Sequence, residues 1–233
     1  MKKSIGILGG MGPLATADLF RKIVTMTKAG CDNEHIRVYI DNHAAIPDRT
    51  AAILAGGADP IPAMAESLKK LEDCGADCII LPCNTAHYFL PRLQPMTQLP
   101  ILSMLDATAA ACARRFPGKT AAILATKGTL ATGLYEAALA NYHVPYLAPN
   151  PKEQDALMRV IYDGVKADAK PETYRKDMKR VITTMTNRGA DYFILGCTEL
   201  PVAAELLKLT AATVDPTTEL AAAAIRFCGY ECK

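Results

Sequence analysis

The chain contains an internal repeat, which constrains its fold more than any other feature of the sequence. The segment GADCIILPCNT, from Gly75, aligns with GADYFILGCTE, from Gly189, at an offset of 114 residues. The segment ILGGMGPLAT, from Ile7, aligns loosely with ILATKGTLAT, from Ile123, at an offset of 116 residues. Two similar offsets in the same order predict two related halves built from the same kinds of element.

Strand-like and helix-like segments alternate within both halves. Short apolar runs predict strands at 4–9, 36–40, 77–82, 120–125 and 191–196. Helices are predicted at 14–29, 60–74, 131–141, 151–165, 171–188 and 216–228. This alternation is typical of an α/β fold with mostly parallel sheets. Together with the repeat, it predicts two similar, pseudo-symmetric α/β domains.

One cysteine in each half follows a predicted buried strand. Cys83 lies in PCNTAH after the run CIIL, and Cys197 lies in GCTEL after the run FIL. The carboxyl ends of parallel strands form the edge at which open α/β sheets bind ligands. A pseudo-two-fold arrangement would point these two thiols at each other, so we expect an active site in the cleft between the domains.

The net charge, the first residues and the cysteines indicate what the protein binds and where it is found. The net charge is +2, which gives no indication of a nucleic-acid or membrane partner. The opening MKKSIGILGGMGP is interpreted as a first strand rather than a targeting segment, because its apolar run breaks at Gly-Gly-Met-Gly-Pro. Eight cysteines without a secretion signal are expected to be free thiols in a reducing cytoplasm.

The sequence resembles the aspartate/glutamate racemases, a family of cofactor-independent amino-acid racemases. Five segments carry the resemblance: IGILGGMGP at 5–13, PDRT at 47–50, PCNTAH at 82–87, YDGVKA at 162–167 and GCTEL at 196–200. The paired CNT and CTE motifs are its most specific part, and the resemblance extends over nearly the whole chain.

The resemblance implies a fold, a reaction and a set of site residues. It implies one α/β domain from residues 1–104 and 212–233, to which the C-terminal helix returns, and a second from residues 105–211. Cys83 and Cys197 would be the acid and base, and Arg49 and Lys166 would bind the carboxylates of aspartate, glutamate or a similar acidic substrate. A homodimer that needs neither pyridoxal phosphate nor a metal is implied as well.

Racemisation removes a proton from one face of the α-carbon and returns one to the other face. A thiolate is a compact base whose pKa falls at a helix N-terminus or beside cations. Backbone N–H groups after each cysteine can stabilise the developing charge. The further candidate substrate-binding residues stand beside the two cysteines or in the glycine turn of the first half: Met11, Asn84, Thr85, Thr198 and Glu199.

The same residues allow other interpretations. Gly10, Gly12 and Ala15 form a weak dinucleotide-binding pattern, but Asp41 comes 29 residues after Gly12, later than such a site requires. The more direct interpretation is a glycine turn whose helix N-terminus, with Pro13 in the first turn, faces an anionic substrate.

Two further alternatives concern metals and neighbouring chemistry. A zinc site could be formed by four side chains, Cys74, Cys78, Cys83 and His87, but the usual second cysteine pair is absent.

His87 stands four residues after Cys83, where it could alter the pKa of the thiol. A cysteine-dependent isomerase or decarboxylase of small carboxylic acids, or a binding protein for acidic amino acids, would share the same scaffold.

Overall fold

The structure is a computed structural model that describes residues 2–233 of the chain. It divides into two compact units. Met1–Ala107 and Thr217–Lys233 form the first unit, and Thr108–Pro216 form the second. None of the helices within the described residues is long and apolar enough to cross a membrane.

The first unit is built on a four-stranded parallel sheet. Its strands are β1 (Ile5–Gly9), β2 (Val38–Asn42), β3 (Cys78–Ile80) and β4 (Ile101–Leu102), in the order β2-β1-β3-β4. Its helices are α1 (Pro13–Met26), α2 (Arg49–Leu54), α3 (Ile61–Asp73), α4 (Leu90–Leu93) and the start of α5 (Met104–Arg115), and nearly all of α11 (Pro216–Phe227) also belongs to this unit.

The second unit repeats the same sheet. Its strands are β5 (Ala121–Ala125), β6 (Tyr146–Leu147), β7 (Tyr192–Gly196) and β8 (Thr213–Val214), again all parallel, in the order β6-β5-β7-β8. Its helices are α6 (Lys127–Ala131), α7 (Leu134–Asn141), α8 (Pro151–Met158), α9 (Pro171–Asn187) and α10 (Glu199–Leu206). A π-helical segment, Arg159–Val165, extends α8.

The predicted α/β fold with two similar halves is therefore confirmed. Every residue of β1, β5 and β7 is buried, as expected for parallel strands covered by helices on both faces. In the first unit, Ile5 and Ile7 pack with α1 and α11 on one face of the sheet. Leu8 and Ile79 pack with α3 on the other face.

The repeated Gly-Ala-Asp has a structural explanation. Gly75 and Gly189 follow α3 and α9 with φ of +90° and +101°, a left-handed conformation that ends a helix at little cost only in glycine. The Asp77 carboxylate accepts a hydrogen bond from the backbone N–H of Ser4 at 2.7 Å. In the second unit the Asp191 carboxylate accepts one from the backbone N–H of Thr120 at 2.8 Å. Each aspartate thus ties the start of its own strand to the residues just before the central strand of the sheet.

Some predicted elements differ from the observed ones for local reasons. The predicted helix at 14–29 ends at Met26, and the backbone at Thr27 is already extended. The predicted helix at 131–141 is interrupted by Gly133, whose φ is +64°, so that α6 and α7 are separate. The strands β4, β6 and β8 have two residues each, too few to produce a readable apolar pattern.

Candidate active site

Cys83 lies beyond the carboxyl end of β3, at the start of a short 3-10 helix, Thr85–Phe89. Its side chain joins the apolar cluster that contains Met11, Ile46 and Ala86, and 8% of the residue is exposed. The two polar residues that follow it, Asn84 and Thr85, are also buried. The first half of the chain therefore presents one nearly enclosed thiol at the carboxyl edge of its sheet, the edge at which open α/β sheets bind ligands.

His87 supports the Cys83 loop rather than its thiol. The ring Nδ1 lies 2.9 Å from the carbonyl oxygen of Cys83, and the ring Nε2 accepts a hydrogen bond from the backbone N–H of Met104 at 2.9 Å. Because Nε2 accepts, the proton is on Nδ1, which donates to the carbonyl. Burial lowers the pKa of His87 to about 4, so the ring is neutral above that pH.

Arg49 is the first residue of α2, and its guanidinium joins two loops at the same edge of the sheet. Nη1 donates to the carbonyl oxygens of Ile46 and Pro47, at 3.1 and 2.8 Å. Nη2 donates to the carbonyl oxygen of Met11 at 3.2 Å, and Nε is enclosed without a partner among the described residues. Three of the five guanidinium N–H groups are therefore used within the protein, and Nη2 keeps one N–H for a ligand.

Met11 contributes to this site through its backbone. Its side chain is buried in the apolar cluster around Cys83, and its carbonyl oxygen accepts from Arg49. The helix α1 begins two residues later at Pro13, with Gly12 as its N-cap, which agrees with the predicted glycine turn before a helix N-terminus.

Cys197 follows β7 directly and donates a hydrogen bond to a carboxylate. Its Sγ lies 2.9 Å from Oε2 of Glu199, the first residue of α10. The hydroxyl of Thr198 donates to the same oxygen at 3.2 Å. Lys166, just after the π-helical segment, places Nζ 3.7 Å from Oε1 of Glu199. The predicted site residues of this half thus lie together, with Glu199 as the shared partner of the other three.

The surroundings of Cys197 favour the protonated form of its thiol. Burial is the largest factor that raises the pKa of this thiol well above its usual value, and the negative charge and hydrogen bond of Glu199 raise it further. The positive charge of Lys166 and the backbone N–H of Glu199 lower the pKa but do not offset the other effects. In the resting protein, Cys197 is therefore a thiol beside a carboxylate.

Residues 8–224 match the sequence profile of the family described as Asp/Glu/Hydantoin racemase. The chain belongs to this racemase family. An aspartate racemase of Picrophilus torridus has a similar structure, with a TM-score of 0.85, 31% sequence identity, and coverage of 99% of this chain and 96% of that one. Racemases are isomerases, and this chain is therefore an isomerase.

Racemases named for other specificities are also similar to most of this chain. The broad specificity amino-acid racemase RacX of Bacillus subtilis is 24% identical over 93% of this chain and 94% of its own length. A glutamate racemase of Lactobacillus acidophilus is 26% identical over 86% of this chain and 69% of its own length. The match to the aspartate/glutamate racemase family predicted from the sequence is confirmed.

One pair of residues that the sequence analysis missed lies near the candidate site. Thr126 follows β5, and its hydroxyl accepts from the backbone N–H of Thr129 at 3.1 Å; both threonines are buried. Ala125 lies opposite Gly196 in the sheet, so Thr126 and Cys197 follow neighbouring strands at the same edge. The alignment of ILATKGT with ILGGMGP contained this signal, since it sets Thr126 against the glycine turn of the first half.

The residues of the alternative zinc site differ in burial and in the groups they contact. Cys74 is exposed at the end of α3, whereas Cys78 is buried with its Sγ 4.0 Å from the Sγ of Cys228. His87 uses both ring nitrogens within the protein. Residues 2–233 contain no group of three or more histidine, cysteine or acidic side chains arranged to hold a metal ion.

Proposed function

We propose that this racemase interconverts the enantiomers of a small acidic amino acid, aspartate or glutamate, by two-base proton transfer. Cys83 and Cys197 are the two bases. The observation that carries the proposal is the hydrogen bond from the Cys197 thiol to Glu199, at the carboxyl end of β7. Cys83, the equivalent residue in the repeat, follows the carboxyl end of β3.

Each turnover moves one proton off the α-carbon and another onto it. The thiolate of one cysteine takes the α-proton, and the electron pair of the broken C–H bond is delocalised into the adjacent carboxylate. The thiol of the other cysteine then gives its proton to the opposite face of the α-carbon. The enzyme is left with the thiolate and thiol exchanged, which suits it to the reverse reaction.

Glu199 allows Cys197 to change between the two forms. Its carboxylate accepts the Sγ proton of the resting Cys197 thiol, which forms the thiolate that acts as the base. When Cys197 acts as the acid, the thiol gives its own proton to the α-carbon while Glu199 stays ionised. Lys166, 3.7 Å from the other carboxylate oxygen, limits the accumulation of negative charge when thiolate and carboxylate are both ionised. The Cys83 half has Thr85 at the position that Glu199 occupies after Cys197, so the two bases are chemically unequal.

The cations near the two cysteines support an acidic substrate. Arg49 keeps one Nη2 N–H beside the Cys83 loop, and Lys166 lies beside Glu199. Asn84, Thr85 and Thr198 supply short polar side chains next to the thiols, and the loop carbonyl of Met11 positions Arg49. The names of the relatives support the same substrate class, since they include an aspartate racemase and a glutamate racemase.

The proposal also covers cofactors, cellular compartment and oligomeric state. Two thiols supply both proton transfers, so the reaction needs neither pyridoxal phosphate nor a metal ion. We further propose a cytoplasmic homodimer, with free thiols maintained by a reducing environment. All eight cysteines are unpaired thiols in the structure.

Proton NMR in D₂O tests the proposed reaction and its substrate together. The enzyme, dialysed against a chelator, is mixed with L- and D-forms of aspartate, glutamate, asparagine, alanine and serine. We expect the α-proton signal of an acidic amino acid to disappear and the opposite enantiomer to accumulate, without added coenzyme. Exchange that begins only after a metal or pyridoxal phosphate is added would contradict the mechanism. Release of carbon dioxide would identify a decarboxylase instead.

Arg49→Lys is expected to weaken both substrate binding and the geometry of the loops. Lysine keeps the charge, but a single ammonium cannot reproduce the three hydrogen bonds to Ile46, Pro47 and Met11. We expect kcat/KM for the acidic substrate to fall by about 100-fold, which corresponds to about 2.7 kcal/mol. Steady-state kinetics provide the measurement, with the exposed Arg92→Lys as the control. Unchanged kinetics would remove Arg49 from the site.

A further inference from the structure

The second unit contains a groove that the proposed reaction does not use. It lies between α9 (Pro171–Asn187) and the segment that joins α10 to β8, and its volume is about 450 Å³. Small-molecule sites in proteins typically occupy about 300–1,000 Å³. None of the residues assigned to the candidate active site lines it. We call it the α9 groove.

The floor of the α9 groove is apolar. Met178 is buried, and the other four apolar residues that line the groove are partly buried against the core of the second unit; they are Ile182, Leu207, Leu209 and Ala211. Part of this surface therefore faces water. An apolar chain or ring lying on it would remove that area from water, which favours binding.

The rim of the α9 groove is cationic. Arg175, Lys179 and Lys208 line it, and no acidic side chain does. Across residues 2–233, neither Lys179 nor Lys208 has an ion-pair or hydrogen-bond partner for its side chain. Arg175 has only a loose contact, 3.9 Å, with the exposed Glu172. Elsewhere on α9, Arg180 pairs with Asp177 at 2.9 Å, and Asp177 also pairs with Arg159 at 2.7 Å.

The loop that carries Lys208 is fixed in place. Lys208 has a φ of +51°, and its backbone N–H donates to the carbonyl oxygen of Glu205 at 3.0 Å. The N–H of Leu209 donates to the carbonyl oxygen of Ala204 at 2.9 Å. Since the floor and this part of the rim are already ordered, a ligand would not have to organise the loop on binding.

We infer that the α9 groove binds a small amphiphilic carboxylate. The apolar part of the ligand lies on the floor formed by Met178, Ile182 and Leu209, and its carboxylate lies between Lys179 and Lys208. An acidic amino acid does not fit this description, because its ammonium and second carboxylate would face the apolar floor. The α9 groove is therefore a second ligand site, separate from the one proposed for the substrate.

Isothermal titration with octanoate, kept below the concentration at which it forms micelles, tests this inference. We expect saturable binding by the wild-type protein. The double variant Lys179→Gln and Lys208→Gln should bind at least about tenfold more weakly, since both cationic partners are lost. Lys176→Gln, on the same helix but outside the groove, should bind octanoate like the wild type. The neutral analogue 1-octanol should bind at least about tenfold more weakly than octanoate.

A further variant tests the apolar floor of the α9 groove, and folding and activity are measured as controls. Ile182→Asp places a negative charge beside the ligand and should abolish octanoate binding. Circular dichroism and racemase activity should remain those of the wild type in the double variant, since neither lysine belongs to the proposed active site. Undetectable octanoate binding, equal binding by the double variant, or equal affinity for 1-octanol would each overturn the inference. None of these outcomes bears on the proposed racemisation.

Discussion

Serine in place of either Cys83 or Cys197 is expected to abolish racemisation while the protein remains folded. A hydroxyl is far harder to ionise than a thiol, so one of the two proton transfers loses its base. We expect kcat/KM to fall by at least about 10³-fold, or about 4 kcal/mol in transition-state stabilisation. The two enantiomers have equal free energies in water, so the loss must be the same in both directions.

Matched controls separate chemistry from folding in these variants. Both thiols are almost enclosed, with 8% of each residue exposed, and serine is slightly smaller than cysteine. Cys31→Ser, at an exposed cysteine outside the proposed site, should keep full activity. Circular dichroism and thermal unfolding should show a folded protein in all three variants. A folded Cys83→Ser or Cys197→Ser enzyme that racemises at close to the wild-type rate would remove that cysteine from the mechanism.

Glu199→Gln is expected to produce the second largest loss. Glutamine keeps the shape and can still accept a hydrogen bond from Cys197, but it cannot take the thiol proton. We expect racemisation to fall by about 10²-fold, within the range typical of a lost general acid or base. Glu205→Gln, at an exposed position of the same helix, is the matched control and should leave the rate unchanged.

The pH profile of Glu199→Gln distinguishes a proton-transfer role from a structural one. Glu199 is one of the causes that raise the pKa of the Cys197 thiol, after burial. Removing its negative charge should lower that pKa, because the thiolate is no longer opposed by a neighbouring anion. Two-base turnover needs one protonated thiol, so activity is lost as pH rises through the pKa of that thiol. The alkaline limb of the profile should therefore move to lower pH in Glu199→Gln.

A merely structural role for Glu199 would give a different pattern. Activity would fall and the midpoint of thermal unfolding would drop, but the alkaline limb would remain at the same pH. Glu199→Asp would then show the same defect as Glu199→Gln. If Glu199 instead exchanges a proton with Cys197, Glu199→Asp keeps a carboxylate on the same element and should recover part of the rate lost in Glu199→Gln.

Much of the fold was predictable because the sequence carries its architecture twice. Runs such as Ile5–Gly9 and Tyr192–Gly196 are wholly buried, and a strand covered on both faces has a continuous apolar sequence. The edge strand β2 begins and ends two residues later than predicted, since its residues are partly exposed and it continues into the polar residues Asp41 and Asn42. Gly133, which separates two helices, has no sequence pattern distinct from that of an ordinary helical glycine.

The candidate site could be proposed from the sequence as a set of residues but not as a set of contacts. The repeat and the CNT and CTE motifs identify Cys83 and Cys197 from the sequence. Which side chain each one contacts depends on distances that the sequence does not contain. The bond from Cys197 to Glu199 and the binding of Arg49 to three loop carbonyls are of this kind. His87 shows the same limit, because its four-residue spacing from Cys83 brings its ring to the carbonyl oxygen instead of the thiol.

Deuterium exchange by the two single variants is the most direct test of the two-base mechanism. Cys83→Ser and Cys197→Ser each keep one thiol, which can still remove the α-proton from one enantiomer and return deuterium to the same face. Each variant is incubated in D₂O with the L or the D form of the substrate identified in the NMR panel, and the α-proton signal is followed. Two-base catalysis predicts exchange without racemisation, with the two variants selecting opposite enantiomers. Exchange of the same enantiomer by both variants would contradict it.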